Sequence, residues 1–196
     1  SGNWTPTVHL SSQSGNKLKF DEIISAFIPN QSRQNETAVG SANGSFTLRK
    51  SLEDGFNKGF EVSNKLTKKN IKSEPPSSNE KDYGEHEKFW CMPLPKNKNY
   101  KRCVDFQNDV YVSDIELAIR EGFRSIEHVK RYTTLGMATD QGKTSNLNGL
   151  QLVSNIENKI VPEVGHTTFR PPYTPVTIGT IVGREVGKHY RPTRKS

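Results

Sequence analysis

The sequence predicts an α/β piece followed by a separate α piece, and three observations predict it. Short apolar runs closed by turn residues lead into a helical repeat of Phe46, Leu52, Phe56 and Phe60. A Lys-, Asn-, Ser- and Glu-rich stretch around 65–80, holding Pro75 and Pro76, then interrupts any core. Beyond residue 100, three apolar periodicities at helical spacing follow one another, each bounded by a capping or glycine signal. The boundaries read as 1–64 for the α/β piece, 65–100 for a polar connector, 101–157 for a small helical module, and 158–196 for an extended proline-rich arm.

Each element has its local cause. Thr-Val-His-Leu at 7–10 reads as a short strand, and Phe27 and Ile28 before Pro29 end a second one. The stretch 37–44 reads as a small apolar strand running into a turn bracketed by Gly40 and Gly44, after which the long helix begins. A turn of small residues before a helix is by itself usually a tight connection. It can also face an anion, because the first N–H groups of a helix are unpaired and the dipole is positive there.

The connector cannot bury enough apolar area to offset its ordering and is expected at the surface. Its one compact apolar run, Phe-Trp-Cys-Met-Pro-Leu-Pro at 89–95, is expected to dock it on a neighbour. In the module, Ser113 and Glu116 have the spacing of a capping box, Ile115, Ala118 and Ile119 form an apolar face, and Gly122 ends the helix. Ser125 is a second N-cap, with Ile126 and Val129 turned inward. Thr139 or Asp140 is expected to cap a third helix whose Leu147, Leu150, Val153 and Ile156 face the core. Prolines at 162, 171, 172, 175 and 192 make the remainder an arm lying on other protein surface.

Only 31% of the 196 residues are hydrophobic, which is low for a self-sufficient core. This predicts part of a larger object, and the opening Ser-Gly-Asn-Trp reads as the middle of one. A formal charge of +7 raises the possibility of a nucleic-acid or acidic partner. The excess lies in 65–72, 96–102 and the last ten residues, without a basic helical stripe or interleaved aromatics, so a solvated surface is the better reading. An interaction module that grips an acidic protein or nucleic acid through this arm is the rival. Two cysteines, Cys91 and Cys103, and the lack of a long apolar run point to a reducing, cytoplasmic setting without a membrane.

Histidines 9, 86, 128, 166 and 189 have no metal-ligand spacing, and no nucleophile–base order suggests a catalytic residue. His128 reads as a helix-face residue. Asp105 and Asp109 could form a carboxylate pair, though strand-to-helix capping fits them at least as well, and Arg170 before Pro171 and Pro172 could equally pair with an acidic partner or be a solvated arginine. The most particular stretch is Arg-Tyr-Thr-Thr-Leu-Gly-Met-Ala-Thr-Asp-Gln-Gly-Lys-Thr-Ser-Asn at 131–146. Its glycines let the backbone approach a ligand. If a helix starts at Thr139 or Asp140, the N–H groups of Gln141, Gly142 and Lys143 are free for a phosphate, with Lys143 as a point charge and Thr133, Thr134, Thr144 and Ser145 as hydroxyl donors. Gly136 completes this candidate set.

With Val-Asp-Phe-Gln-Asn-Asp-Val at 104–110 and Thr-Thr-Phe-Arg-Pro-Pro-Tyr-Thr-Pro at 167–175, the 131–146 stretch resembles the alpha subunit of heterotetrameric sarcosine oxidase over nearly the whole chain. The resemblance implies that 1–64 is the C-terminal piece of a two-dinucleotide-binding (FAD/NAD-type) domain. Gly40, Ser41, Asn43, Gly44 and Phe46 would then form one wall of an NAD site. No Gly-x-Gly-x-x-Gly follows a strand here, so the main pyrophosphate loop would lie elsewhere.

The resemblance further implies that Thr133, Thr134, Gly136, Gln141, Gly142, Lys143, Thr144 and Ser145 face an FMN shared with the beta subunit. The module is similar to a bacterioferritin-associated-ferredoxin-like domain, whose four cluster cysteines would fall at Asp105, Gln107, Asp140 and Ser145. None is Cys, so no iron–sulfur cluster and no metal is expected. Related amine and proline dehydrogenase alpha subunits usually keep those cysteines. What the family implies is oxidation of sarcosine to glycine coupled to tetrahydrofolate, with the redox steps largely in the beta subunit, other subunits as partners, and a folate-binding domain beyond the arm.

Overall fold

Twelve buried apolar side chains between Val104 and Val161 form one core, drawn from two short strands, four helices and, through Leu135, one loop. The computed structural model describes residues 4–68, 73–81, 88–95, 100–171, 173, 174 and 176–189. The calls on His86, Pro172, Pro175 and 190–196 lie outside the described residues.

The N-terminal piece opens with helix α1, His9–Gln13, where the sequence suggested a strand. Ser12 N–H donates to the Val8 carbonyl at 2.9 Å, and Gly15 at φ +83° turns the chain out again. Strands β1 (Leu18–Asp21) and β2 (Ala26–Pro29) then pair antiparallel, Leu18 opposite Pro29 and Asp21 opposite Ala26. The Asp21 carboxylate accepts the N–H groups of Ile23 and Ile24 and fixes the turn between them.

The stretch 37–39 is extended but forms no strand, since β1 and β2 pair only with each other; it passes into a 3-10 turn, Gly40–Asn43. Helix α2, Leu48–Thr67, carries Leu52, Phe56 and Phe60 of the predicted spacing, Phe46 falling just before its Thr47 cap, and stacks Phe56 on Phe60, with centroids 5.8 Å apart. It runs three residues into the stretch read as connector, and none of its residues is buried.

In the connector, 73–81 and 88–95 hold no helix or strand. The expected apolar anchor is reduced to Cys91, which packs against the core and accepts a hydrogen bond from Arg102 Nη1 at 3.3 Å. Phe89, Met92 and Leu94 stay exposed.

The module begins with a second antiparallel pair, β3 (Cys103–Asp105) and β4 (Val110–Tyr111). Strand β4 feeds directly into helix α3, Val112–Arg120. The helix therefore starts one residue before Ser113, and its reciprocal cap is the Asp114 carboxylate accepting the Tyr111 N–H at 2.8 Å rather than the Ser113/Glu116 pair. Helix α4, Ile126–Thr133, starts after Ser125 as predicted and buries Ile126 and Val129. Helix α5, Asn146–Glu157, starts six residues after Asp140, and buries Leu150 and Val153 as predicted while Ile156 stays exposed.

The arm is not simply extended. Val161–Val164 forms helix α6, Ile178–Val182 forms helix α7, and a 3-10 stretch spans Arg184–His189. Between them the chain folds back on the N-terminal piece: His9 lies against Tyr173 at 4.4 Å between centroids, and Phe27 meets His166 at 5.5 Å. Phe20 and Phe27 of the hairpin also pack on the module's core. Among the described residues, no helix is long and apolar enough to cross a membrane.

Candidate functional site

Asp105 organises the candidate site from inside. It is 2% exposed, and its Oδ1 accepts the N–H groups of Gln107 and Asn108, which makes the β3–β4 turn. Its Oδ2 accepts the Gly136 N–H at 2.8 Å and the Ser145 hydroxyl at 3.3 Å, reaching across 31 and 40 residues of chain. A buried carboxylate is tolerable only when so satisfied, and hydrogen bonds to a charged acceptor are worth about 1.5–3 kcal/mol each. Asp105 caps the strand-to-strand turn between β3 and β4 rather than the strand-to-helix junction, which Asp114 caps. Gln107 accepts the Thr139 hydroxyl at 2.9 Å, so hydrogen bonds of Asp105, Gln107 and Ser145 lace the β3–β4 turn to the loop that holds Asp140. Among the described residues no cluster of His, Cys, Asp or Glu has metal-ligand geometry.

The 136–145 loop is a chain of tight turns. Gly136 and Gly142 have φ +65° and +76°, and a Cβ on either would run into the Asn146 side chain, which lies between them with its Oδ1 buried and unpartnered. The later start of α5 changes which N–H groups are free. Gln141 N–H donates to the Ala138 carbonyl at 2.9 Å, Gly142 to Asp140 Oδ1 at 3.0 Å, and Lys143 to the Asp140 carbonyl at 3.2 Å. The three donors expected for a phosphate are thus spent within the loop.

The predicted hydroxyls are spent too. Thr133 bonds the Val129 carbonyl, Thr134 the Thr133 carbonyl, Thr144 the Asp140 carboxylate, and Ser145 Asp105. Lys143 turns to the other side of the loop, where its ammonium lies 4.4 Å from the Tyr173 ring centroid and donates to the Tyr173 carbonyl at 3.2 Å. There it shares an apolar crevice with Val8, Phe27, Leu147, Leu150 and His166. Burial and then the Asp140 charge raise the Tyr173 hydroxyl above its ordinary pKa. Burial and then the Lys143 charge lower His9.

On the opposite side the loop opens into a broad cleft. Gly136, Met137, Ala138, Thr139 and Gln141 form one wall, Glu127, Lys130 and Arg131 of α4 a second, and Thr168 and Arg170 a third. Gln141 latches the third wall, donating to the Arg170 carbonyl at 2.7 Å and accepting the Arg170 N–H at 2.8 Å. Glu127 accepts the Thr168 N–H and pairs with Arg131 at 3.3 Å. Of the eight residues predicted around this loop, Gly136 and Gln141 face the cleft. Lys130, in the last turn of α4, was not singled out, and Arg131 was read only as the first residue of the 131–146 stretch; Arg170, read either as half of an ion pair or as a solvated arginine, pairs with no carboxylate among the described residues.

The first glycine turn has a different fate. Gly40 and Gly44 have φ +61° and +88°, and a Cβ on Gly44 would come within 2.9 Å of Ile24 Cδ1 of the hairpin. Phe46 meets Trp4 edge-on at 6.3 Å, and Asn43 borders a polar hollow with Asn16 and Glu36. At the start of α2 the Thr47 hydroxyl accepts the Lys50 N–H, and the Glu80 carboxylate accepts the Leu48 N–H. The end of the helix where an anion was expected is occupied by the chain's own carboxylate.

Comparison with known proteins agrees along the whole chain. Residues 99–184 match the family model described as the sarcosine oxidase A3 domain. The chain is 36% identical to sarcosine oxidase subunit alpha of Rhizobium meliloti (strain 1021), with all of this chain aligned, and 36% identical to that of Corynebacterium sp. (strain P-1), with 98% aligned. It spans about a fifth, 20%, of the length of each. Among solved structures it is similar to L-proline dehydrogenase from P. horikoshii, with a TM-score of 0.64 and 20% identity over 92% of this chain and 37% of that one. This likeness supports the mixed fold of helices with small sheets.

Proposed function

We propose that this chain, a homologue of sarcosine oxidase subunit alpha over its whole length, serves as a non-catalytic part of a flavin-dependent amine oxidase complex. Its work is to hold and shield an FMN at the contact with a beta subunit, the 131–146 loop lying against the flavin. Gly136 and Gln141 meet it at the cleft. Thr133, Thr134, Gly142, Lys143, Thr144 and Ser145 hold the loop in shape from behind. The turn of Gly40, Ser41, Asn43, Gly44 and Phe46 supplies one wall of an NAD site completed by residues outside this chain, with Glu80 keeping phosphate off the α2 N-terminus. The division into 1–64, 65–100, 101–157 and 158–196 follows these roles. The complex oxidises sarcosine to glycine, passing the methyl carbon to tetrahydrofolate, in a cytoplasmic setting.

The observation that carries this reading is the whole-length homology, together with the cleft formed by the segments that are most particular in the sequence. Absorbance and flavin analysis of the complex assembled with a beta subunit test it. Stoichiometric FMN, lost when the loop is altered while amine-dependent reduction of FAD persists, is expected. An assembled complex with full FMN and normal reoxidation after the loop is altered would refute it.

A further inference from the structure

The cleft walled by α4, the loop and the arm has an unbalanced charge. Lys130, Arg131 and Arg170 bring three cations, and Glu127 brings the single carboxylate, already committed to Arg131 and to the Thr168 N–H. Among the described residues neither Lys130 nor Arg170 pairs with a carboxylate. The loop's own acid, Asp140, is turned to Gly142 and Thr144. Two positive charges are therefore uncompensated in one concave surface.

The backbone adds to this. Met137, Gln141, Gly142 and Lys143 all spend their N–H groups inside the protein, whereas the N–H groups of Ala138 and Thr139, two consecutive cleft residues, meet no acceptor among the described residues. Unpaired consecutive N–H groups beside guanidinium groups match the several acceptor oxygens of a tetrahedral dianion. Arg170 reaches the cleft on a segment fixed at both sides, its backbone held twice by the Gln141 amide and the Thr168 N–H held by Glu127. This fixes the backbone from which the Arg170 side chain reaches the cleft and lowers the ordering cost of binding there.

We infer that this cleft is a phosphate-dianion site, bound by Lys130, Arg131, Arg170 and the Ala138 and Thr139 N–H groups, with Gln141 as the positioning residue for Arg170. It deepens the flavin reading above and rests on that reading only for the source of the phosphate: flavin mononucleotide, a dinucleotide or free phosphate.

The test titrates the full 196-residue chain with inorganic phosphate, FMN, NAD and riboflavin, followed through backbone amide shifts. Phosphate and FMN should saturably shift Ala138, Thr139 and Arg170, and riboflavin should not. Arg170→Gln and Lys130→Gln should each weaken phosphate at least about tenfold. Gln141→Leu should weaken it in the Arg170 background and change nothing further once Arg170 is Gln, a non-additivity that a merely structural role would not give. The inference falls if phosphate leaves these amides unmoved, if the variants bind as the parent does, or if riboflavin shifts them as FMN does. Phosphate binding with FMN or NAD no tighter than phosphate alone would uphold the site and remove its flavin source. Flavin binding at the loop without any response to phosphate would do the reverse.

Discussion

Two glycine-bracketed turns, 40–47 and 136–146, look alike in sequence, yet the fold uses them differently. Each has two glycines at positive φ, small polar residues between them and a helix behind. At the first, the start of α2 is capped by Thr47 and by the Glu80 carboxylate. At the second, Asp105 and Asp140 take up most of the loop's donors but leave Ala138 and Thr139 facing a cationic cleft. A glycine-rich turn before a helix thus marks where an anion could approach. Whether one can depends on which side chains, often remote in sequence, reach the donors first.

The largest way to break this contrast is to remove the carboxylate that shapes the second turn. Asp105→Ala leaves four donors without an acceptor in a buried site and should cost on the order of 3 kcal/mol or more, read from urea denaturation. A cost below about 1 kcal/mol would mean that the loop is held by something else. Next come the glycines. Gly142→Ala combines left-handed backbone with a collision against the buried Asn146 and should cost roughly 2–3 kcal/mol, part of it recovered when Asn146 is also Ala. Gly44→Ala meets the movable end of Ile24 and, less closely, Ile28 Cγ2 at 3.3 Å, and should cost less, roughly 1–2 kcal/mol. Equal costs would erase the distinction between the two turns.

Smaller effects sharpen the account of the first turn. Thr47→Ala should lower stability by about 1 kcal/mol through loss of the α2 cap, visible as a fall in Tm. Gly55→Ala and Gly59→Ala, whose added methyl groups meet nothing within 4 Å, should each stabilise by roughly 0.5–1 kcal/mol. Destabilisation by either would show that this face of α2 packs on something.

Helices α2 and α4 were legible from their apolar spacing, and α4 also from its N-cap residue Ser125. The buried faces of α3 and α5 were legible too. Their starts were not, because β4 runs straight into α3, and because the loop's turns consume six residues that a capping pattern alone assigns to helix. The strand expected at 7–10 failed for want of a pairing partner, a tertiary matter that the Thr-Val-His-Leu pattern does not contain. Gly136 and Gln141, singled out from their types, line the cleft. Lys143 was expected beside them but lies across the loop from the cleft, since the direction of its side chain depends on Tyr173, 30 residues on. Lys130 and Arg170 come together only because Gln141 and Glu127 bind the arm, and no local spacing reports that.

The most direct measurement is a phosphate titration of the full chain and of its Glu80→Ala variant, reading the amides of Leu48 and Arg49 beside those of Ala138 and Thr139. The account predicts that in the parent only Ala138 and Thr139 respond, and that Leu48 joins them once Glu80 is removed. Phosphate shifting Leu48 and Arg49 in the parent while Ala138 and Thr139 stay still would contradict it.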